Sequence, residues 1–153
     1  MELNTLPLPS FVKAFYSRFP NLTPVQEKAV SAGVLGKKSL LVCAPTASGK
    51  TLIATMAISK ALETNGKALY IVPLKALAAE KFREYQQLLE NSGYAATLAT
   101  GDIDSDSTHL ARYNLIILTS EKLDALLRHA LPWLSQVKTI IIDEIHLLND
   151  PHR

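Results

Sequence analysis

Short apolar runs of strand length alternate along this chain with longer segments whose apolar residues recur at helical spacing, which restricts the fold more than any other feature. Residues 39–44 are apolar on both faces and read as a buried strand, and residues 68–72 form a second strand stopped by Pro73. Residues 94–99, 115–118 and 139–142 complete the predicted strands. Between them, residues 51–63 carry Leu52, Ile53, Met56, Ala57 and Ala61 at helical spacing, and Asn65-Gly66 closes that helix. Residues 74–90 set Leu74, Leu77, Ala78, Phe82, Tyr85, Leu88 and Leu89 on one helical face, with Gly93 beyond the end. Ser120 is expected to cap a further helix with Leu123, Leu126 and Leu127 turned inward and Glu121 complementing its positive end. Residues 1–38 read as a helical preface packed onto the sheet. The alternation predicts an α/β domain, a parallel sheet with helices on both faces, whose ligands gather at the carboxyl ends of the strands.

Composition narrows the class without naming a function. A chain of 153 residues suits one compact domain, and 48% hydrophobic with 20% charged residues is the balance of a soluble globule. There is no signal-like N-terminus and no apolar run of bilayer length. Cys43, the single cysteine, is expected to be a core thiol in a reducing, cytoplasmic protein. The net charge of +2 is too small to argue for nucleic acid by itself. Asp102, Asp104 and Asp106 alternate like the start of a calcium loop. Ser107 stands where such a loop needs glycine and Tyr113 where it needs glutamate, so a solvated loop is the better reading. His109, His129, His146 and His152 lack metal-ligand spacing.

Two segments carry chemistry. The first is Ala44-Pro45-Thr46-Ala47-Ser48-Gly49-Lys50-Thr51, an A-x-x-x-x-G-K-T phosphate loop with alanine in place of the usual first glycine. Backbone N–H groups around Ala47, Ser48 and Gly49, with Thr46 in the same turn, can face one concavity at a positive helix end. Gly49 permits close backbone approach, Lys50 offers a charge to the β and γ phosphates, and Thr51 a hydroxyl to Mg²⁺. The second is Asp143-Glu144-Ile145-His146, which ends an apolar strand on two carboxylates. Asp143 would hold Mg²⁺ through water and Glu144 would polarise the attacking water. Alone, an Asp-Glu pair after a strand serves equally as a helix N-terminal charge pair; beside a phosphate loop the catalytic reading dominates. Thr23-Pro24-Val25-Gln26 fits a capping box, and the Gln26 amide could equally read an adenine edge; residue chemistry leaves both open.

With these segments in place, the chain resembles the DExH-box helicases of superfamily 2, and most closely the archaeal superkiller-like DNA-repair helicases. The resemblance rests on Leu22 to Gln26, the phosphate loop, Val72 to Ala78, Thr100-Gly101-Asp102, Thr119 to Lys122, and Asp143 to His146, in an order that spans nearly the whole chain. It implies a first RecA-like domain over residues 1–153, containing the preface, and ATP with Mg²⁺ as cofactors. It implies movement along single-stranded or forked nucleic acid, DNA favoured over RNA. It assigns Gln26 to adenine, and Pro73, Leu74, Lys75, Gly101, Thr119 and Ser120 to the strand-binding face. His146 would couple hydrolysis to movement.

Family helicases close ATP between two RecA-like domains, the second supplying arginines that stabilise the transferring phosphoryl group. The resemblance implies that this chain is a fragment or split gene product, stopping before the Ser-Ala-Thr segment, whose strand lies between the phosphate-loop and Asp-Glu strands. The expectation is little hydrolysis by the fragment alone and self-association to cover the gap. The competing reading is a nucleotide-binding or interaction module without turnover. A transporter or kinase P-loop fits poorly, since it needs neither Gln26 nor Asp-Glu-x-His in this order. The expectation that ties the readings together is that Lys50 and Asp143, nearly a hundred positions apart, meet the same triphosphate and metal.

Overall fold

A strand persists only where a neighbour takes its backbone hydrogen bonds, and that requirement decides where the sheet forms. The computed structural model describes residues 1–100 and 107–149. They fall into two compact units, Met1–Thr64 and Asn65–Arg153.

The second unit holds a four-stranded sheet built from β1 (Lys67–Val72), β2 (Ala96–Ala99), β3 (Leu115–Thr119) and β4 (Val137–Ile142). The strands lie in the order β2–β3–β1–β4 with parallel pairings. Every residue of the two central strands is buried, whereas edge strand β4 alternates half-buried and exposed positions. Side chains point to opposite faces in turn, which sorts them into two layers. Leu69 and Ile71 join Ile116, Leu118, Leu126 and Trp133 in the core on one face. There α5 (Ser120–Arg128) packs against β1 and β3. Tyr70 turns the other way and meets Tyr85 of α4 (Lys75–Leu88), ring centroids 5.5 Å apart.

This arrangement is the predicted parallel α/β architecture, with local corrections. The strand expected from residue 94 starts at Ala96, because the Ala95 N–H donates to Asn114 Oδ1 at 2.9 Å. The helix expected over 74–90 runs Lys75–Leu88, leaving Leu74 outside it and 43% exposed. Thr119, not Ser120, caps α5, its hydroxyl accepting from the Lys122 N–H at 3.4 Å. The buried stripe of α5 passes through Lys122, Ala125 and Leu126, which turns Leu127 outward to 59% exposure, against the expectation that it faces inward.

The first unit is helical: α1 (Ser10–Phe15), α2 (Pro24–Ala32) and α3 (Lys50–Glu63). Gly33, at φ 103°, ends α2 in the left-handed conformation that glycine adopts without strain. Val12, Leu22 and Ala29 share a core with Leu52, Ile53 and Met56 of α3. The expected strand over 39–44 is absent: these residues have no regular structure, and the one β-bridge in this unit joins Glu2 to Asn21. Leu40 and Val42 pack on the helical core while Leu41 is 76% exposed. Cys43 is likewise exposed, not the core thiol expected. With no ladder beside them in the unit, these residues bury one face only, so uniform apolarity misread them. No described helix is long and apolar enough to cross a membrane.

Candidate functional site

In the first unit the segment before α3 winds into a tight loop, with Ala47 at φ 62° and Gly49 at φ 87°. Ser48 N–H donates to Pro45 O at 3.3 Å, closing a turn. The Lys50 ammonium folds back on the loop, donating to Ala44 O at 2.7 Å and Pro45 O at 2.9 Å. Ser48 Oγ is buried and has no hydrogen-bond partner. An orphaned buried hydroxyl normally costs about 1–3 kcal/mol, so its place just before the N-terminus of α3 suits an anionic oxygen. Thr46 is exposed and Thr51, in the first turn of α3, is half-buried.

Gln26 is 5% exposed and committed twice. Its Oε1 accepts from the Thr23 N–H at 2.8 Å, within the capping box of α2, and its Nε2 donates to Gly49 O at 3.0 Å. Thr23 Oγ1 donates to Ser48 O at 3.0 Å. The capping pair therefore also bolts the loop, a contact that the spacing of the two segments did not reveal. One amide hydrogen and one Oε1 lone pair remain beyond these bonds for another partner.

In the second unit Asp143 extends the ladder past β4, its N–H donating to Ile71 O at 2.9 Å. Its carboxylate takes two donors: Tyr70 OH on Oδ2 at 2.8 Å and the Glu144 N–H on Oδ1 at 3.0 Å. Burial, then the proximity of Tyr85 and Asp143, pushes the Tyr70 phenol far above its ordinary range, so it remains a donor. Glu144 is exposed, at φ 50°, and its Oε2 lies 3.4 Å from His146 Nε2. Among the described residues no group of three or more His, Cys, Asp or Glu side chains could hold a metal. A single carboxylate with spare lone pairs nevertheless suits Mg²⁺, which keeps much of its water and takes phosphate oxygens as further ligands.

Register brings other predicted residues to the same sheet edge. Val72 pairs with Thr119, so Pro73, Leu74 and Lys75 leave β1 beside the point where Thr119 and Ser120 leave β3. Pro73 is buried and Lys75 exposed; Thr119 is 3% exposed with its hydroxyl engaged in the α5 cap, and Ser120 is half-buried. Gly101 and the acidic positions Asp102, Asp104 and Asp106 lie outside the described residues, as does His152. Tyr70, which sequence reasoning missed, looked like one more apolar strand residue; only the β1–β4 register puts its hydroxyl on Asp143.

A family described as DEAD/DEAH box helicase matches residues 23–153. The chain is 46% identical over 159 aligned positions to the ATP-dependent DNA helicase Hel308 of Methanocella arvoryzae, covering all of this chain and 22% of that protein. It is 54% identical over 133 positions to the Hel308 of Pyrococcus abyssi, covering 86% of this chain and 18% of that one. The chain thus spans about a fifth of the length of these relatives. Among solved structures, the DUF1998 helicase MrfA bound to DNA and AMPPNP matches with a TM-score of 0.73 and 28% identity, covering 92% of this chain and 21% of that one.

Proposed function

Because the chain belongs to the DEAD/DEAH box helicase family, we propose that it forms the ATP-binding part of an ATP-dependent nucleic-acid helicase, DNA favoured over RNA. The observation that carries this reading is the phosphate loop. It combines an ammonium resting on exchangeable carbonyls, an orphaned hydroxyl and a helix N-terminus. Similarity to Hel308 DNA helicases, and to MrfA bound to DNA and AMPPNP, supports both the nucleotide and the polymer.

In this reading Lys50 leaves Ala44 O and Pro45 O for the β and γ phosphates, while Ser48, Gly49 and their neighbours Thr46 and Ala47 cradle them. Thr51 in the first unit and Asp143 in the second are each candidate ligands for Mg²⁺, an ion that when bound neutralises phosphate charge. Glu144 orients and polarises the attacking water, and His146, within reach of Glu144, couples hydrolysis to strand movement. Gln26 adds adenine contact through its remaining hydrogen-bonding capacity. Lys75 and Ser120 offer charge and hydroxyl to the phosphate backbone, with Pro73, Leu74 and Thr119 shaping the same face, and Gly101, outside the described residues, is proposed as a further strand contact. We further propose a role in DNA repair and a cytoplasmic setting, on the motif resemblance described above. Equilibrium binding of a fluorescent ATP analogue with Mg²⁺ tests the reading. Binding is expected in the wild-type chain and lost in Lys50→Ala, with little hydrolysis by this chain alone, with or without single-stranded DNA. Equal binding by both proteins would refute the site.

A further inference from the structure

Tyr70 lies opposite Ile141 in the β1–β4 pairing, and the two-residue period of a strand returns Asp143 to the same face of the sheet. Tyr70 is 2% exposed and packed against the Tyr85 ring, and its hydroxyl donates to Asp143 Oδ2 at 2.8 Å. The carboxylate torsion of an aspartate is broad and nearly two-fold when nothing holds it. Here one oxygen is held by the Tyr70 hydroxyl and the other by the Glu144 N–H. The two donors fix the plane of the group, and each oxygen keeps lone-pair capacity for an outside partner.

We propose that Tyr70 is a positioning residue, whose hydroxyl orients the Asp143 carboxylate to receive the hydrated magnesium that accompanies a nucleotide. This rests on the nucleotide-site reading above. Outer groups that hydrogen-bond a metal-binding carboxylate commonly govern metal affinity by factors of about 10–100 when removed. Phenylalanine keeps the ring, its burial and its contact with Tyr85, and removes only the oxygen.

The test measures binding of a fluorescent ATP analogue to the full chain across a Mg²⁺ titration and in EDTA. Wild type, Tyr70→Phe, Asp143→Asn and the double variant are compared. In Tyr70→Phe the Mg²⁺ concentration for half-maximal binding is expected to rise about tenfold. Affinity in EDTA should stay unchanged, and Tyr70→Phe should add nothing in the Asp143→Asn background. A hydroxyl that merely supports the fold would lower affinity in EDTA and in both backgrounds alike, and that result would overturn the proposal. So would a Tyr70→Phe titration that overlays the wild type. Wild-type binding indifferent to Mg²⁺ would instead defeat the magnesium-nucleotide reading and this inference with it, so the two failures are distinguishable.

Discussion

Replacing Gly49 by alanine should injure the protein through one close approach. A Cβ built at Gly49 would stand 2.2 Å from Gln26 Nε2, far inside contact distance, and the backbone there has φ 87°. Left-handed backbone costs an L-residue about 1–2 kcal/mol. Pushing the amide aside would break its bonds to Gly49 O and the Thr23 N–H, each worth about 0.5–1.5 kcal/mol net. The expected loss is therefore about 2–5 kcal/mol. With a urea slope of about 2 kcal/mol per molar, the unfolding midpoint should fall by at least about 1 M. Gln26→Ala removes the obstacle together with its bonds, so the double variant should unfold near the midpoint of Gly49→Ala alone. The two changes should then be non-additive by about 1–3 kcal/mol. A midpoint shift under about 0.5 M, or strictly additive losses, would refute the contact as the cause.

Lys67 is buried at the foot of β1 and donates to Ala111 O and Tyr113 O at 2.6 Å each. Lys67→Met should cost about 1–3 kcal/mol in urea unfolding, the orphaned carbonyls outweighing relief of ammonium burial; a stabilised variant would reverse that ranking. Tyr70 supplies a pH prediction. Its folded-state pKa stands above the ordinary 10.0, so above that pH the unfolded chain releases a proton that the native chain keeps. Stability must then fall as pH rises past about 10, by up to about 1.4 kcal/mol per unit from this group. Burial lowers the Lys67 pKa below 10.5, which adds the opposite slope just under that value. The difference between wild type and Tyr70→Phe isolates the phenol, and parallel stability curves above pH 10 would contradict its shift.

The apolar alternation was enough to foresee β1, β3, β4 and the helices α3, α4 and α5, because helical and strand periodicities are local properties. The tight loop before α3 and the Asp-Glu pair after β4 could be picked out too, since each is a contiguous run whose proposed chemistry depends on residue type. Residues 39–44 escaped that logic: an apolar run becomes a strand only if a partner is there to take its hydrogen bonds. Leu127 escaped it too, because periodicity locates a stripe without saying which edge of it faces the core.

Sequence by itself determined the α/β class and singled out the ammonium, hydroxyls and carboxylates that we propose meet a nucleotide. Tertiary structure alone decided that Gln26 holds the loop at Gly49 and that Tyr70 holds Asp143. Those partners lie 23 and 73 positions apart in the chain. Strand register and helix packing set such distances, and neither is encoded in any short window of residues.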